Sequence, residues 1–425
     1  MNATWSKWGN FARALQSRTF ALLWLGQVFS AIGDGAYNTV LAWQVLITTG
    51  SGTAMGIVII AANLPMLLLT LIGGVVADRF PRRTIILVTD LIRALALMLI
   101  VFLGTVHWLL FWHLVVLSLI LGAAKGFFYP AYQSLPPDFV SKDALPSANA
   151  LVSLSRQTSD LIGPLVGAAC VALVGTLAGF ALDGVTFIIS SACVLLTFVL
   201  SQDALTGSRR LSPSQNTGFL KHFAHEIVEG IQYVVQVKWL GISILVASLA
   251  NIAFEGSIVV ALPKLIHDVY HSSVWILGSV TVTGSVGVAC ATVLSGYIQH
   301  LRRRGILAYG AVVICGIALA CFGLPFSLRI GSIVVIVCNG IVGACLGFFT
   351  VIWLTLLQEL VPEDKLGRIN SIDLLGSLGL ASLGYGIAGI VVDRVGPAQV
   401  FLVSGLLVFL LAASALIFRS IRNLQ

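Results

Sequence analysis

An all-α membrane protein, with twelve transmembrane helices in two pseudo-symmetric six-helix bundles, is predicted by three observations. They are a charge content too low for a water-facing surface, a succession of long apolar runs, and an internal repeat. Of 425 residues, 58% are hydrophobic and 10% charged, with a mean hydropathy of +1.00. A soluble chain carries about 25% charged residues, so lipid must cover most of this surface.

The helices follow from length. A hydrocarbon core of ~30 Å takes about 20 apolar residues at ~1.5 Å each. Runs that meet this requirement lie near 20–47, 54–77, 84–105, 109–131, 148–174, 180–200, 239–262, 273–296, 305–325, 331–356, 369–392 and 398–418. Continuous apolar runs can satisfy their backbone hydrogen bonds in lipid only as helices. The 42 glycines suit close helix approach. No cleavable signal segment is expected, because the first apolar run is long and lacks a small-residue cleavage site. The seven cysteines all fall within predicted helices at irregular spacing, which predicts packing roles with no metal and no disulfide framework.

Orientation follows from the basic residues. Eighteen Lys and Arg fall on the side of the N-terminal tail and three (Lys264, Arg329, Arg394) on the other; Arg93, Lys125 and Arg156 lie inside predicted helices. Both termini are therefore expected in the cytoplasm. The net charge of +7 is explained by this bias and calls for no nucleic acid.

The longest polar segment, 201–238, reads as a cytoplasmic linker between an N-terminal bundle (1–200) and a C-terminal bundle (239–425). An offset of 221 residues superposes the two halves. Gly122-Ala123-Ala124-Lys125-Gly126-Phe127-Phe128 falls on Gly343-Ala344-Cys345-Leu346-Gly347-Phe348-Phe349, Gly163 on Gly384, and Asp34 on Glu255. An offset larger by one brings Gly74 onto Gly296 and Asp78 onto His300. Repeats of six helices start on the same side of the membrane, and transporters of this build hold substrate between the halves.

The loop after the second run reads Gly74-Val75-Val76-Ala77-Asp78-Arg79-Phe80-Pro81-Arg82-Arg83. Gly74 is expected to let two helices approach closely, Asp78 to face a neighbouring helix terminus, and the Arg cluster to pair with acids on adjacent loops. This sequence resembles the signature loop of the major facilitator superfamily, in which such contacts latch the cytoplasmic side shut. Asp90 and Arg93, three residues apart and close to this loop, are read as part of the same gate. The second-half copy has His300 for the acid.

Further residues narrow the resemblance. Ser30-Ala31-Ile32-Gly33-Asp34, Asp90-Leu91-Ile92-Arg93-Ala94 and Gly163-Pro164-Leu165-Val166-Gly167 are similar to bacterial exporters of the enterobactin-exporter and macrolide-efflux type. The resemblance covers almost the whole chain. It implies the major facilitator fold and proton-coupled efflux of a small amphipathic compound, such as a drug, macrolide or siderophore. In drug antiporters the Gly163, Pro164, Gly167 pattern shapes the fifth helix against leak. Such antiporters often carry an Arg early in the fourth helix; here Ser118 and apolar residues stand there.

An ionisable group inside a span costs at least ~2.5–3.5 kcal/mol and is a functional candidate by default. Gln27, Asp34 and Asn38 share one face of the first helix, and Ser248, Asn251 and Glu255 one face of the seventh, so both faces are expected to line the central cavity. Asp34 is the expected proton-coupling acid and Glu255 a coupling or substrate residue. Arg156 and Asp160 have the spacing of an intrahelical ion pair, and Lys125 is expected to snorkel or to pair with Asp90 or Asp160. Asp373 is expected to favour the dipole at the start of the eleventh helix, and Trp24 to anchor at the interface. The chain is read as a non-enzyme, a monomer working with protons, a small-molecule substrate and the bilayer, without a cofactor. The alternative on the same scaffold is a nutrient importer or lysolipid flippase.

Overall fold

Long apolar stretches closed by short polar turns fold as a series of helices. The computed structural model describes residues 13–200, 229–297 and 302–424. Most of the linker, the basic residues Lys7, Arg209, Arg210 and Lys221, and His300 lie outside the described residues.

In chain order the long helices are α1 (Arg18–Thr49), α2 (Gly52–Arg79), α3 (Arg82–Thr105), α4 (Phe111–Gln133), α5 (Leu145–Leu173) and α6 (Thr176–Leu200). They continue as α7 (Lys238–Val269), α8 (Val274–Tyr297), α9 (Arg304–Cys321), α10 (Leu328–Leu360), α11 (Glu363–Val395) and α12 (Pro397–Ala415). Ten of these are long and apolar enough to cross a membrane among the described residues. The other two, α1 and α5, are 32 and 29 residues long but more polar. In α1 the polar residues Gln27 and Asp34 belong to the interior described below.

Helix ends follow local chemistry. The Ser17 side chain accepts from Phe20 N at 3.3 Å and caps α1, which stops at Gly50 with φ of 65°. Gly396, with φ of 88°, ends α11, and Pro397 opens α12. Helices run a few residues past the apolar runs because such polar terminal residues lie outside any apolar window. Two helices are irregular. In α7, π turns at Ser257–Ala261 and Leu265–Val269 carry the helix beyond residue 262, and α11 has a π turn at Leu375–Gly379.

The chain forms two compact units. One holds the residues up to Gly50 and from Val58 through α6; the other holds Ser51–Ile57 and everything from α7 onward. Within the first, α1 packs on α5 and α6, and α3 on α4 and α6. Within the second, α7 packs on α11 and α12, and α9 on α10 and α12. The two packing schemes correspond helix for helix.

The glycines make the correspondence atomic. A Cβ on Gly163 would lie 2.6 Å from Gly35 Cα, and one on Gly384 would lie 2.3 Å from Ile252 O; Gly256, the counterpart of Gly35, faces Gly384 O. Gly122 and Gly126 meet Ala62 O and Met66 O of α2, while Gly343 and Gly347 meet Gly284 O and Val288 O of α8. The first set is offset by 221 residues, and the α2–α8 partners by one more, as in the sequence repeat. Close backbone contact through glycine gives helices their attraction in lipid, where burial of apolar surface supplies none.

One expectation is corrected here. Gly74 has open space around its Cβ position, and so does Gly296. The close approach of α2 to α4 is made by Gly73, whose Cβ would lie 2.4 Å from Gly126 O. Adjacent helical residues point about 100° apart, so only one of two neighbouring glycines can face a given helix.

Candidate functional site

The interior of the first unit holds a cluster of charged side chains. Asp34 sits at the middle of α1, sixteen residues from Arg18 and fifteen from Thr49. Its carboxylate lies 2.7 Å from the Lys125 ammonium of α4 and 3.4 Å from the Arg93 guanidinium of α3. The Asp34 and Lys125 side chains are each a quarter exposed, whereas Arg93 is fully buried. Lys125 is therefore the partner of Asp34, not of Asp90 or Asp160. Pairing lets its ammonium stay inside the span instead of reaching for the membrane surface.

Arg93 and Asp90 form a fully buried ion pair one turn apart on α3. The guanidinium is also held between two rings, 4.3 Å from the Phe128 centroid and 4.1 Å from that of Phe187. The second Asp90 oxygen accepts from the Ser190 hydroxyl at 2.6 Å and from Gln27 Nε2 at 3.3 Å. Gln27 donates to Ser190 Oγ as well, at 2.8 Å. Gln27 is thus buried between α1, α3 and α6, while Asn38 on the same stripe of α1 is exposed. The stripe divides because side chains of α3 and α6 meet Gln27, through Asp90 and Ser190.

Asp183 of α6 was passed over in the sequence. Its side chain is buried, with its Oδ1 2.4 Å from where a Cβ on Gly33 would be, so Gly33 makes the room it occupies. An acid seven residues into an apolar span was the signal available. Tyr37 closes the cluster: its hydroxyl lies 3.2 Å from Ser118 Oγ, and Lys125 Nζ lies 5.8 Å from its ring. Ser118 is buried on α4 as the hydrogen-bond partner of Tyr37.

Other expected residues lie apart from this cluster. Arg156 is exposed and donates to Tyr129 Oη at 2.9 Å, and Asp160 is exposed on the same helix. Trp24 Nε1 donates to Leu151 O at 2.9 Å, which ties α1 to α5. In the fifth-helix motif, Pro164 is buried, and Gly163 and Gly167 lie against Gly35 and Ala36. In the loop after α2, Arg82 donates to Ser134 O at 2.6 Å and pairs with Asp138 at 3.0 Å, an acid on an adjacent loop as expected. Arg83 lies over the Phe139 ring at 4.3 Å. Asp78 and Arg79 are exposed at the end of α2, and Asp78 makes no hydrogen bond or ion pair among the described residues.

The second unit does not repeat this cluster among the described residues. Glu255 stands two residues before the Ser257–Ala261 π turn and accepts from the Tyr385 hydroxyl at 3.5 Å. Leu346 falls where Lys125 does in the first unit, so the cation is not repeated. Asn251 is half-buried on the same face. Asp373 accepts from Trp353 Nε1 at 2.9 Å, well inside α11 and not in its first turn, because the helix begins at Glu363. Asp393, also missed, gathers four donors. They are Ser51 Oγ at 2.7 Å, Gly52 N at 2.7 Å, Thr53 N at 2.9 Å and Lys264 Nζ at 2.9 Å. It thereby caps the N-terminus of α2 from α11. Among the described residues no group of three His, Cys, Asp or Glu is placed to hold a metal ion.

Two units of repeated apolar helices, the first with an ion-paired interior, define a polytopic membrane protein. Residues 23–381 match the Major Facilitator Superfamily, and the chain belongs to that family. It is 24% identical to macrolide efflux protein A of Streptococcus pyogenes, over 96% of this chain and 97% of that protein. It is 26% identical to the multidrug efflux pump Tap of Mycolicibacterium fortuitum, over 94% and 96%. It is 25% identical to the enterobactin exporter EntS of Citrobacter koseri, over 92% and 91%. The fold is similar to that of a bacterial homologue of the iron transporter ferroportin, with a TM-score of 0.69 at 19% identity, covering 94% of this chain and 98% of that one. The chain is accordingly a membrane transporter of a small-molecule substrate, and the resemblance read from its motifs holds along its length.

Proposed function

We propose that this transporter exports small amphipathic compounds, of the drug, macrolide or siderophore kind, across a bacterial inner membrane in exchange for protons. Both termini lie in the cytoplasm, and 201–238 links two six-helix halves that expose one substrate site alternately to each side. The relatives named above export such compounds, and the basic residues crowd the side of the termini.

The observation that carries the coupling is the Asp34–Lys125–Arg93 contact in the interior of the first unit. Two cations there hold an acid that remains a quarter exposed, so protonation of Asp34 would free Lys125 and end the contact of Asp34 with Arg93, which stays on Asp90. Glu255, Asn251 and the exposed Asn38, Arg156 and Asp160 are the residues proposed to meet substrate. The loop of Gly74, Asp78, Arg79, Arg82 and Arg83 is proposed to close the cytoplasmic side. Asp90 and Arg93, buried next to Asp34, connect that loop to the coupling acid along α3.

Everted vesicles with an imposed pH gradient, acid inside, test the reading. Uptake of a lipophilic cation such as ethidium is expected to depend on the gradient, to collapse with a protonophore, and to fall at least tenfold in Asp34→Asn. Uptake indifferent to the gradient, or unchanged in that variant, would refute it.

A further inference from the structure

The charges inside the first unit do not cancel. Three acids, Asp34, Asp90 and Asp183, face two bases, Arg93 and Lys125. With all five ionised the interior carries one uncompensated negative charge, and burying such a charge is far costlier than burying a neutral carboxyl. One proton makes the cluster neutral.

Compensation is uneven among the three acids. Asp34 has both cations, at 2.7 and 3.4 Å. Asp90 has Arg93, the Ser190 hydroxyl and the Gln27 amide. Among the described residues Asp183, which is buried, has no cation within 4 Å and meets only the Thr186 hydroxyl, at 3.5 Å. That hydroxyl already donates to the Asp183 carbonyl oxygen at 2.7 Å, so its proton is committed elsewhere. The charged and titratable groups that act on Asp183 are Asp34 and Tyr37 from α1, Arg93 from α3, itself paired with Asp90, and Lys125 from α4. The charged side chains of α5, Arg156 and Asp160, are exposed.

We propose that Asp183 holds the proton of this cluster, and that Asp34 controls its release by competing for the Lys125 ammonium. The proposal rests on the proton-coupled reading above and assigns the bound proton to a different residue from the one that meets the cations. While Lys125 is on Asp34, the Asp183 carboxyl keeps its O–H. When Lys125 leaves Asp34, its charge can compensate an Asp183 carboxylate; the Asp183 O–H bond breaks, and the proton passes to Asp34 or to water. The total charge is conserved at each step. Gly33 leaves the room that the Asp183 carboxyl occupies on this face of α1.

The test is pH-difference infrared spectroscopy of the full-length protein in lipid vesicles, reading the carbonyl stretch of protonated carboxyl groups. A band present in the wild type is expected to vanish in Asp183→Asn and to reappear displaced in Asp183→Glu. It is expected to strengthen in Lys125→Gln, which leaves a second acid uncompensated, and to weaken in Asp34→Asn, which frees Lys125 for Asp183. An unchanged band in Asp183→Asn, or an unchanged one in Lys125→Gln, overturns the proposal. The spectra do not depend on transport. If the band behaves as expected while vesicle uptake ignores the pH gradient, the proton assignment stands and the coupled-export reading fails.

Discussion

Lys125 Nζ lies 2.7 Å from Asp34 Oδ1, joining α4 to α1 inside the first unit although 91 residues separate the two in sequence. Removing one member of a buried pair strands the other at a cost of about 3–5 kcal/mol. Both partners are a quarter exposed here and Arg93 remains near Asp34, so the loss is expected to be smaller, about 1–2 kcal/mol. Lys125→Met should lower the thermal unfolding midpoint in detergent. Adding Asp34→Asn should restore part of it, because the stranded charge is then gone. A double variant no more stable than the single one would show that the pair is not what holds these helices.

The glycine contacts predict paired effects in the two halves. Alanine at Gly163 or at Gly384 would press on backbone atoms at 2.6 and 2.3 Å. Overpacking of this kind costs about 1–3 kcal/mol. Gly74→Ala, with open space around it, should leave the unfolding midpoint unchanged. Thermal unfolding of the three variants checks this; equal destabilisation by all three would contradict the assigned contacts.

Asp393 supplies the acceptor for two backbone amides and a hydroxyl at the start of α2 as well as for Lys264. Asp393→Ala leaves these donors without a partner, at about 1–3 kcal/mol. Amide exchange at Gly52 and Thr53 should quicken more than at the interior of α2. Uniform exchange along α2 in the variant would argue against the cap.

The Arg82–Asp138 pair is of a different kind. Its side chains are 25% and 46% exposed, and exposed pairs contribute about 0–1 kcal/mol. Asp138→Asn is therefore expected to shift stability by less than about 1 kcal/mol, and less still in high salt. A large, salt-independent loss in chemical denaturation would show that the pair is more enclosed than its geometry indicates.

Much of this architecture was legible before any coordinates. Composition gives the class, and the 221-residue offset pairs Gly122, Gly126 and Gly163 with Gly343, Gly347 and Gly384, which make equivalent contacts in the two units. The Asp90–Arg93 pair was legible because its partners share a helix. What sequence spacing cannot convey is the partner on another helix, so Lys125 was matched with the wrong acids. The choice between Gly73 and Gly74 turns on about 100° of helix rotation, which one sequence leaves open. Gln27 and Asn38 share a stripe with Asp34, yet their burial depends on where α3 and α6 close around α1. Asp183 and Asp393 are lone acids without a local partner, and their surroundings come from distant segments.

The central claim is that outward substrate movement and inward proton movement are one event. The direct measurement is the proton flux reported by a pH dye trapped in proteoliposomes, on addition of ethidium to the wild type and to Asp34→Asn and Asp183→Asn. The account predicts a substrate-dependent proton flux in the wild type that disappears in both variants. Substrate movement without any proton flux in the wild type, or a flux that survives both substitutions, would contradict it.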